Sequence, residues 1–467
     1  MSQISLFKSL NAAFNPRTVA VIGASGTPGK IGYTIFNNLI KGNFKGRVYP
    51  VNPNTKKILG KITYPTVSEI PEEVDLAIIV VKAELVEEVM KDCINSGVKV
   101  AVIISANFKE IGGEGQKREE RLKEIINNSK IRVLGPNCMG IFDSHSGLDM
   151  LFLPETRMEK PKPGNISIIS QSGAVLAIFL DWMAKENIGV AKGVSYGNRI
   201  DIDEGDLLYY LAYDEDTKVI LSYIEGLDEN KGQKFIQAAR FASYQKPIIA
   251  VKGGKTEVSR KAVASHTGAM AGSYEIYKAA FKQAGIIEAE NIQEMFDMAK
   301  ALVMQPLPQG ENVAVITNTG GIGIMAVDAL EERGLKVPEL DDETKKYLSE
   351  NLAAGAAVNN PVDLTGNSTA EHYRIAINKV ASLDYIHSLV ICLEFQVPQL
   401  DFNVLDYIYY SKELGKPIVT ITVGGGLTER ISRIIENNGI PSYTTPERAA
   451  TAIYALYRYS QIKYSIE

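Results

Sequence analysis

The strongest constraint on the fold is a local pattern that occurs three times along the chain. An apolar, strand-like run leads into a turn rich in Gly, Ser and Thr, and a helix-like stretch follows. The copies read VAVIGASGTPGKIG, ISIISQSGAVLAI and VAVITNTGGIGIM. This pattern is typical of a parallel sheet covered by helices. It predicts anion binding at the turns, because a helix N-terminus presents backbone N–H groups that have no partner within the helix.

Strand-like and helix-like stretches alternate through almost the whole chain and fall into three sets. The proline-rich connections MEKPKPGN at 158–165 and MQPLPQG at 304–310 separate the sets. Repeated alternation of this kind predicts an α/β fold with doubly wound parallel sheets. We therefore expect three domains, with boundaries at 1–145, 146–304 and 305–467.

Composition excludes several classes of protein. The net charge is -5 and the pI about 5.7, whereas a nucleic-acid binder normally carries a basic stripe. The sequence has neither an apolar run of transmembrane length nor the apolar core of a signal peptide. Cys93, Cys138 and Cys392 are far apart and lack C-x-x-C spacing, which fits a reducing compartment. We expect a cytoplasmic protein without a metal site.

The first turn carries Gly23, Gly26 and Gly29, a G-x-x-G-x-x-G spacing that differs from the G-x-G-x-x-G of dinucleotide sites. The next strand ends in Asn52 and Pro53, where an NAD site would place an acidic residue for the ribose. Both differences argue against a nicotinamide dehydrogenase. A ligand with phosphates held by backbone donors, and by Lys30 or Lys56, remains compatible with this turn. Glycines kept only for tight packing are the alternative.

The second and third turns carry further hydroxyl groups and backbone donors. Their candidate phosphate ligands are Ser170, Ser172, Gly173, Gly320 and Gly321. If the two domains face each other, a dianionic phosphate can bind between two helix N-termini. Each turn can also be an ordinary helix cap without a ligand.

His266 lies in the stretch Lys252–Ser273, whose small and polar residues predict a long loop. We hypothesise that His266 is a nucleophile that carries a phosphoryl group on a mobile arm. Glu225 follows the strand-like run Val219–Ile224, so its carboxylate is expected at the carboxyl edge of the sheet, where it would hold the histidine ring. A surface histidine without a task and a solvated carboxylate are the alternatives.

An acidic cluster follows the early strands of the second set. It consists of Asp201, Asp203, Glu204 and Asp206. Such a cluster can suggest a metal site. Capping of a helix that starts near Glu204 is the better interpretation, since Asp and Glu are favoured in the first turn of a helix.

Several motifs, taken in order, resemble a known family. They are GASGTPGKIG, GPNCMG, SQSGAV, YIEG, SHTGAMAGS, and NTGGIGIMAVDAL with NNPVDLTG. Together they are similar to the α subunit of the ADP-forming (NDP-forming) acyl-CoA synthetases, which are relatives of succinyl-CoA synthetase. The resemblance implies a CoA-binding Rossmann-like domain followed by two flavodoxin-like ligase domains. It also implies an acid–thiol ligase that interconverts acyl-CoA, phosphate and ADP with acid, CoA and ATP.

By the same resemblance, His266 would become a phosphohistidine on a swinging loop, after acyl phosphate has formed, and Glu225 would orient it. The turns at Ser170–Gly173 and Gly320–Gly321 would hold phosphate. The positions that fall near the family's CoA contacts are Gly26, Thr27, Pro53, Lys56, Ser105 and Asn107.

The sequence ends at Glu467 without an ATP-grasp region. The resemblance therefore implies a separate ATP-grasp β subunit that binds ADP or ATP with Mg²⁺, in an α2β2 heterotetramer. A non-catalytic CoA-sensing module of the same fold is the alternative to an enzyme. The preferred acid is open.

Overall fold

The computed structural model describes residues 3–154, 156–228, 230–267 and 273–464. These residues pack as two units, a first unit up to residue 288 and a second unit from residue 289. Within the described ranges, no helix is both long enough and apolar enough to cross a membrane.

The first unit begins with a parallel sheet in the strand order β2-β1-β5-β6-β7. The strands are continuous apolar runs such as Val100–Ile103, in which every residue is buried, as expected for a sheet covered on both faces. Its strands, the hairpin β3–β4 and the helices are β1 Thr18–Ile22, β2 Arg47–Val51, β3 Lys57–Ile58, β4 Lys61–Ile62, β5 Leu76–Ile79, β6 Val100–Ile103, β7 Arg132–Leu134, α1 Gln3–Phe14, α2 Ile31–Lys41, α3 Val86–Asn95 and α4 Gly113–Asn127.

The second sheet of this unit has the order β14-β13-β12-β10-β11-β8-β9, in which β8 pairs antiparallel with both β11 and β9. The remaining described pairs are parallel. The elements are β8 Gly140–Asp143, β9 Leu148–Asp149, β10 Pro163–Ser170, α5 Gly173–Lys185, β11 Val190–Ser195, α6 Glu204–Tyr213, β12 Val219–Ile224, α7 Gly232–Gln245, β13 Ile248–Lys252, α8 Glu257–Thr267, α9 Tyr274–Ala284 and β14 Ile287–Glu288.

One apolar core runs through both sheets of the first unit. Helix α1 precedes the first sheet but packs on α6, where Tyr210 stacks on Phe7 and Phe14 at ring-centroid distances of 5.0 and 4.1 Å. Arg132 on β7 forms ion pairs with Asp201 and Asp206 beside α6, at 2.8 and 3.1 Å. These contacts fix the two sheets to each other.

The second unit contains a parallel sheet in the order β16-β15-β17-β18-β19. Apolar clusters fill the space between this sheet and the helices on its two faces. The elements are α10 Ile292–Met304, β15 Val313–Thr317, α11 Gly320–Glu332, α12 Asp342–Asn351, β16 Val362–Asp363, α13 Ala370–Ala381, β17 Ser388–Leu393, α14 Val404–Tyr410, β18 Ile418–Thr422, α15 Gly426–Asn437, β19 Ser442–Tyr443 and α16 Pro446–Tyr464.

The predicted α/β class with parallel sheets is confirmed. The three-domain division remains a prediction, and two elements near its boundaries pack on the opposite side of them. Strand β8, assigned to residues 1–145, joins the second sheet. Helix α10, assigned to 146–304, belongs to the second unit, where Asp297 binds Arg448 and Lys300 binds Glu436.

The acidic cluster caps a helix, as predicted. Helix α6 begins at Glu204, and Asp203 and Asp206 form a capping box in which the Asp203 carboxylate accepts the Asp206 N–H at 3.1 Å. Lys234 pairs with both carboxylates, at 2.8 and 2.6 Å. Across the described ranges, no group of His, Cys, Asp and Glu side chains is arranged to hold a metal ion.

Candidate functional site

A cleft of about 1050 Å³ lies in the first unit, where strands of both sheets end. Residues that follow β1, β5, β6, β10, β11 and β12 line it, so the carboxyl edges of the two sheets open into the same space. Carboxyl edges are where doubly wound sheets bind ligands. The polar and charged lining residues are Ser25, Lys30, Lys82, Ser105, Asn107, Asn137, Gln171, Ser172, Asn198 and Glu225.

The turn after β1 approaches the first turn of α2 closely. Gly23 has a φ of +89°, and a Cβ on Gly32 would lie 2.1 Å from the Gly23 carbonyl oxygen. Glycine is therefore required at both positions, and the backbone of this turn stays open to the cleft, which Gly23 and Gly29 line. Packing and ligand access are compatible explanations of this glycine pattern.

The predicted CoA-binding residues divide into two groups. Ser105 and Asn107 line the cleft after β6, and the Ser105 hydroxyl donates to the Val81 carbonyl oxygen at 2.6 Å. Gly26, Thr27, Pro53 and Lys56 are exposed and lie outside the lining of this cleft. Their role in CoA binding stays a prediction.

The turn after β10 forms the N-terminus of α5. Ser172 is the N-cap and accepts the Val175 N–H at 3.4 Å, while the Ser170 hydroxyl donates to the Ser172 carbonyl oxygen at 2.6 Å. A Cβ on Gly173 would lie 3.2 Å from the Met139 Cβ, so the helix begins close against the segment that contains Met139. Ser172 and Gly173 line the cleft, where the helix dipole favours an anion.

Glu225 lies beside this helix N-terminus. It directly follows β12, is 7% exposed and lines the cleft, as expected for a residue at the end of that strand. Gln171 connects the two features, because its side-chain oxygen accepts the N–H groups of Glu225 and Gly226 at 2.9 and 3.1 Å. The structure thus brings Ser170, Ser172, Gly173 and Glu225 together.

Further backbone groups next to Glu225 are also bound by side chains. We call residues 225–227 the Glu225 turn. Lys252 donates to the Glu225 carbonyl oxygen at 2.7 Å, Arg199 donates to the Gly226 carbonyl oxygen, and the Tyr277 hydroxyl accepts the Leu227 N–H at 2.8 Å. These side chains come from β13, from the loop after β11 and from α9, so the turn is held from three separate parts of the chain.

Burial changes the ionisation of groups around this turn. Desolvation raises the pKa of Tyr223 to about 12, and the charge of Glu225 and a hydrogen bond to its carboxylate act in the same direction. The phenol therefore stays neutral. Desolvation lowers the pKa of Lys252 to about 8, although the Glu225 carboxylate opposes this change. Desolvation also raises the pKa of Glu204, which pairs with Arg199, to about 7.

The predicted loop at Lys252–Ser273 is wrong for residues 257–267, which form α8. Thr256 and Ser259 cap this helix reciprocally, since each hydroxyl accepts the other residue's N–H, at 3.2 and 3.0 Å. Glu257 and Lys261 add an (i, i+4) ion pair at 3.0 Å. Small residues suggested a loop, but the capping pair and the helix-favouring Ala, Glu, Lys and Arg residues determine the conformation.

His266 lies in the last turn of α8, and its side chain lies outside the described part of the structure. Helix α8 contacts the short 3-10 helix Lys109–Ile111, close to Asn107. The backbone that carries His266 therefore belongs to the same unit as the cleft. Its predicted role as a nucleophile stays a prediction.

The third turn lies in the second unit, where Gly320 and Gly321 begin α11. Two carboxylates lie close to this helix N-terminus. The Thr319 hydroxyl donates to the Glu394 carboxylate, and a Cβ on Gly320 would lie 2.8 Å from Asp363 Oδ2. The predicted phosphate-binding role of Gly320 and Gly321 remains a prediction, and these acidic neighbours bear directly on the affinity of the turn for an anion.

No local sequence signal marks the residues that hold the Glu225 turn. Gln171 is one polar residue in a Gly/Ser turn, Lys252 ends an apolar strand, and Tyr277 lies in an amphipathic helix. A lysine at the end of a buried strand is the one unusual feature, because lysine is rarely buried without a compensating partner.

Three family models match successive regions of the chain. Residues 17–143 match a family model described as a CoA binding domain, 163–302 match a succinyl-CoA ligase like flavodoxin domain, and 313–466 match a Ligase-CoA domain. The chain is 43% identical to subunit alpha of the ADP-forming acetate–CoA ligase I of Pyrococcus furiosus, covering 97% of this chain and 98% of that subunit. This chain belongs to the family of ADP-forming acetate–CoA ligase α subunits.

Two further relatives support the family assignment. The ADP-forming acetate–CoA ligase I of Archaeoglobus fulgidus is 41% identical over 96% of this chain, and the match covers 63% of that longer protein. The acetyl-coenzyme A synthetase 1 of Ca. Korarchaeum cryptofilum, solved in complex with phosphate and ADP, is 37% identical with a TM-score of 0.90, covering 97% of both chains. The predicted family and its CoA-binding and flavodoxin-like folds are confirmed.

Proposed function

We propose that this chain is the catalytic α subunit of an ADP-forming acyl-CoA ligase, with acetate among its acids. Together with a partner subunit it interconverts acyl-CoA, phosphate and ADP with acid, CoA and ATP. The observation that carries the proposal is the juxtaposition of the α5 N-terminus with Glu225 in a cleft shared with the CoA-binding sheet. An anion bound at Ser172 and Gly173 would lie between the family's CoA-binding region and the carboxylate.

The chemistry begins at the thioester. Phosphate held by the first-turn N–H groups of α5 attacks the acyl carbon, a C–O bond forms, and the C–S bond breaks to release CoA. Backbone donors suit this step because they stabilise negative charge without transferring a proton. The products are acyl phosphate and CoA thiolate, which takes up a proton from solvent.

The phosphoryl group then moves to His266. A ring nitrogen attacks phosphorus, the bond from phosphorus to the acyl oxygen breaks, and the acid leaves as a carboxylate. Glu225 accepts a hydrogen bond from the other ring nitrogen and stabilises the positive charge that develops on the imidazole. The segment that bears His266, which includes α8, swings to deliver the phosphoryl group to ADP. A β-phosphate oxygen of ADP attacks phosphorus, a P–O bond forms, and the P–N bond breaks to release the imidazole.

The nucleotide site belongs to the partner in this proposal. The partner is an ATP-grasp β subunit that binds ADP or ATP with Mg²⁺, in an α2β2 heterotetramer. Two comparisons support it: the Pyrococcus furiosus relative is named a subunit alpha, and the longer Archaeoglobus fulgidus relative contains more chain than this one matches. A cytoplasmic location is part of the proposal, supported by unpaired, buried cysteines.

The acyl group has an apolar wall available beside the α5 N-terminus. Ala174, Ala177 and Ile178 line the cleft at (i, i+3, i+4) spacing on α5, and Ile178 is 54% exposed. Phe152 and Leu153 complete this wall. An exposed isoleucine gains stability when an apolar group covers it, so the wall favours an apolar monocarboxylic acid.

Mass spectrometry of the α–β complex tests the proposal. After incubation with acetyl-CoA and phosphate, we expect an acid-labile gain of one phosphoryl group on His266. A His266→Ala variant should show neither this gain nor turnover, while its affinity for CoA stays near that of the wild type, because α8 lies outside the CoA-binding sheet. CoA binding without phosphorylation of the wild-type complex would leave a non-catalytic CoA-sensing module.

A further inference from the structure

Lys252 is a buried cation at the carboxyl edge of the second sheet. It is the last residue of β13 and is 2% exposed. Its ammonium donates to the carbonyl oxygens of Glu225, at 2.7 Å, and of its neighbour Gly253. It also lies over the ring of Tyr277, with 4.5 Å between Nζ and the ring centroid. These contacts occupy a charged group that is costly to bury.

Tyr277 contacts the same turn. It lies on α9 and is 6% exposed, and its hydroxyl accepts the Leu227 N–H at 2.8 Å. One tyrosine therefore places its ring on the Lys252 ammonium and its oxygen on the Glu225 turn. Both residues of the pair bind within residues 225–227.

The positions of the two residues in the chain give the pair its significance. Lys252 comes directly before residues 253–276 and Tyr277 directly after them, and this segment contains α8 with His266. The two ends of the segment thus meet at the turn that carries Glu225. Because both ends are attached to the Glu225 turn, they stay next to Glu225 in any arrangement of the residues between them.

We propose that Lys252 and Tyr277 form a clamp that fixes both ends of residues 253–276 on the Glu225 turn. They are positioning residues, which act through Glu225 and the His266-bearing segment and do not touch the substrate. This inference rests on the proposed phosphoryl transfer to His266. It adds that the transfer depends on a cation and an aromatic ring at the base of the segment.

A lysine suits this position better than an arginine or a methionine. A compact ammonium offers three donors, and two of them reach carbonyl oxygens while the charge lies over the ring. Among the charged groups that affect the pKa of Lys252, Glu225 raises it, whereas Arg260 and Lys255 lower it. With its pKa near 8, the ammonium is mostly protonated at neutral pH.

Phosphorylation of His266 in the reconstituted α–β complex tests the clamp. The phosphoryl donor is acetyl-CoA with phosphate in one half-reaction and ATP in the other. We expect Lys252→Met and Tyr277→Leu to slow both half-reactions at least tenfold, with unchanged affinity for CoA. Lys252→Arg should recover part of the loss, and the double variant should be no slower than the slower single variant, because the residues act as one pair. Lys278→Met, an exposed neighbour on α9, is the matched control.

Limited proteolysis with trypsin gives a readout that does not depend on phosphorylation. Loss of the clamp should increase cleavage after Arg260 and Lys261 in α8 and leave cleavage in the second unit unchanged. Tyr277→Phe keeps the ring over Lys252 but removes the acceptor of the Leu227 N–H, so it should fall between the wild type and Tyr277→Leu in both assays. It also provides a second test if Lys252→Met does not fold. Variants that phosphorylate His266 and resist trypsin like the wild type would overturn the clamp. A wild-type complex that is never phosphorylated would overturn the proposed function, and proteolysis would still test the clamp.

Discussion

The side-chain oxygen of Gln171 accepts the backbone N–H groups of Glu225 and Gly226, at 2.9 and 3.1 Å. Gln171 lies in the turn that begins α5, so this one side chain fixes the carboxylate relative to the candidate phosphate site. A shift of about 1 Å in the position of a group that orients a nucleophile is enough to slow catalysis by about a hundredfold. We therefore expect Gln171 to help position the candidate site.

Replacing Gln171 by Ala should weaken both the site and the fold. Two buried N–H groups lose their acceptor, which costs about 1–3 kcal/mol for each group that no water reaches. We expect a lower unfolding midpoint in urea and a slower phosphorylation of His266. Gln116→Ala, on the exposed face of α4, serves as the control. Unchanged phosphorylation in the Gln171 variant would show that the turn does not need this support.

Replacing Glu225 by Gln should slow phosphoryl transfer without unfolding the protein. Gln has nearly the same size, but it removes the charge that would stabilise a cationic imidazole. A charged hydrogen bond contributes about 1.5–3 kcal/mol, which corresponds to a loss of about 10- to 150-fold in rate. Single-turnover measurement of phosphohistidine formation checks this, with the exposed Glu275→Gln as the control. Full activity would remove Glu225 from the mechanism.

Glu204 should make the stability of the first unit depend on pH. Desolvation raises its folded-state pKa from 4.5 to about 7, so between these values the folded state binds more protons than the unfolded state. Its contribution is fully present below about pH 4.5 and is lost as the pH rises through 7, by roughly 3 kcal/mol in total.

Comparison of Glu204→Gln with the wild type between pH 5 and 8 measures this contribution, because the amide does not titrate. We expect the difference in unfolding midpoint to change most between about pH 5 and 7. Glu186→Gln, an exposed position at the end of α5, should show a constant difference. A difference between Glu204→Gln and the wild type that does not change with pH would mean that Glu204 is ionised throughout this range.

The apolar wall on α5 should determine the preferred acid. The cations among the described lining residues of the cleft are Lys30 and Lys82, which both follow strands of the first sheet, whereas the wall on α5 is formed by Ala174, Ala177 and Ile178. A second carboxylate against this wall would be desolvated without a partner, so succinate should be a poor substrate.

Ile178→Ala should enlarge the space for the acyl group. We expect the ratio of kcat/KM for phenylacetate to that for acetate to rise by about tenfold. Ile434→Ala, at a similarly exposed isoleucine of the second unit, should leave the ratio unchanged. Equal ratios in the Ile178 variant and the wild type would place the acyl group elsewhere in the cleft.

The sequence by itself determined the α/β class, the three strand–turn–helix units and the position of Glu225 at the end of β12. These properties depend on short-range patterns, since an apolar run, a small-residue turn and the following helix lie within about fifteen residues. The helix cap at Asp203 and Asp206 is equally local. The candidate phosphate ligands in the turns could be selected from the sequence for the same reason.

Only the tertiary structure decided how the Glu225 turn is held. Gln171 is 54 positions from Glu225, and Tyr277 is 50 positions from Leu227, so their hydrogen bonds exist only once the sheet has formed. The same holds for β8, whose two edges are satisfied by β9 and β11. Buried polar groups need partners wherever the chain can supply them, and a one-dimensional pattern does not contain that information.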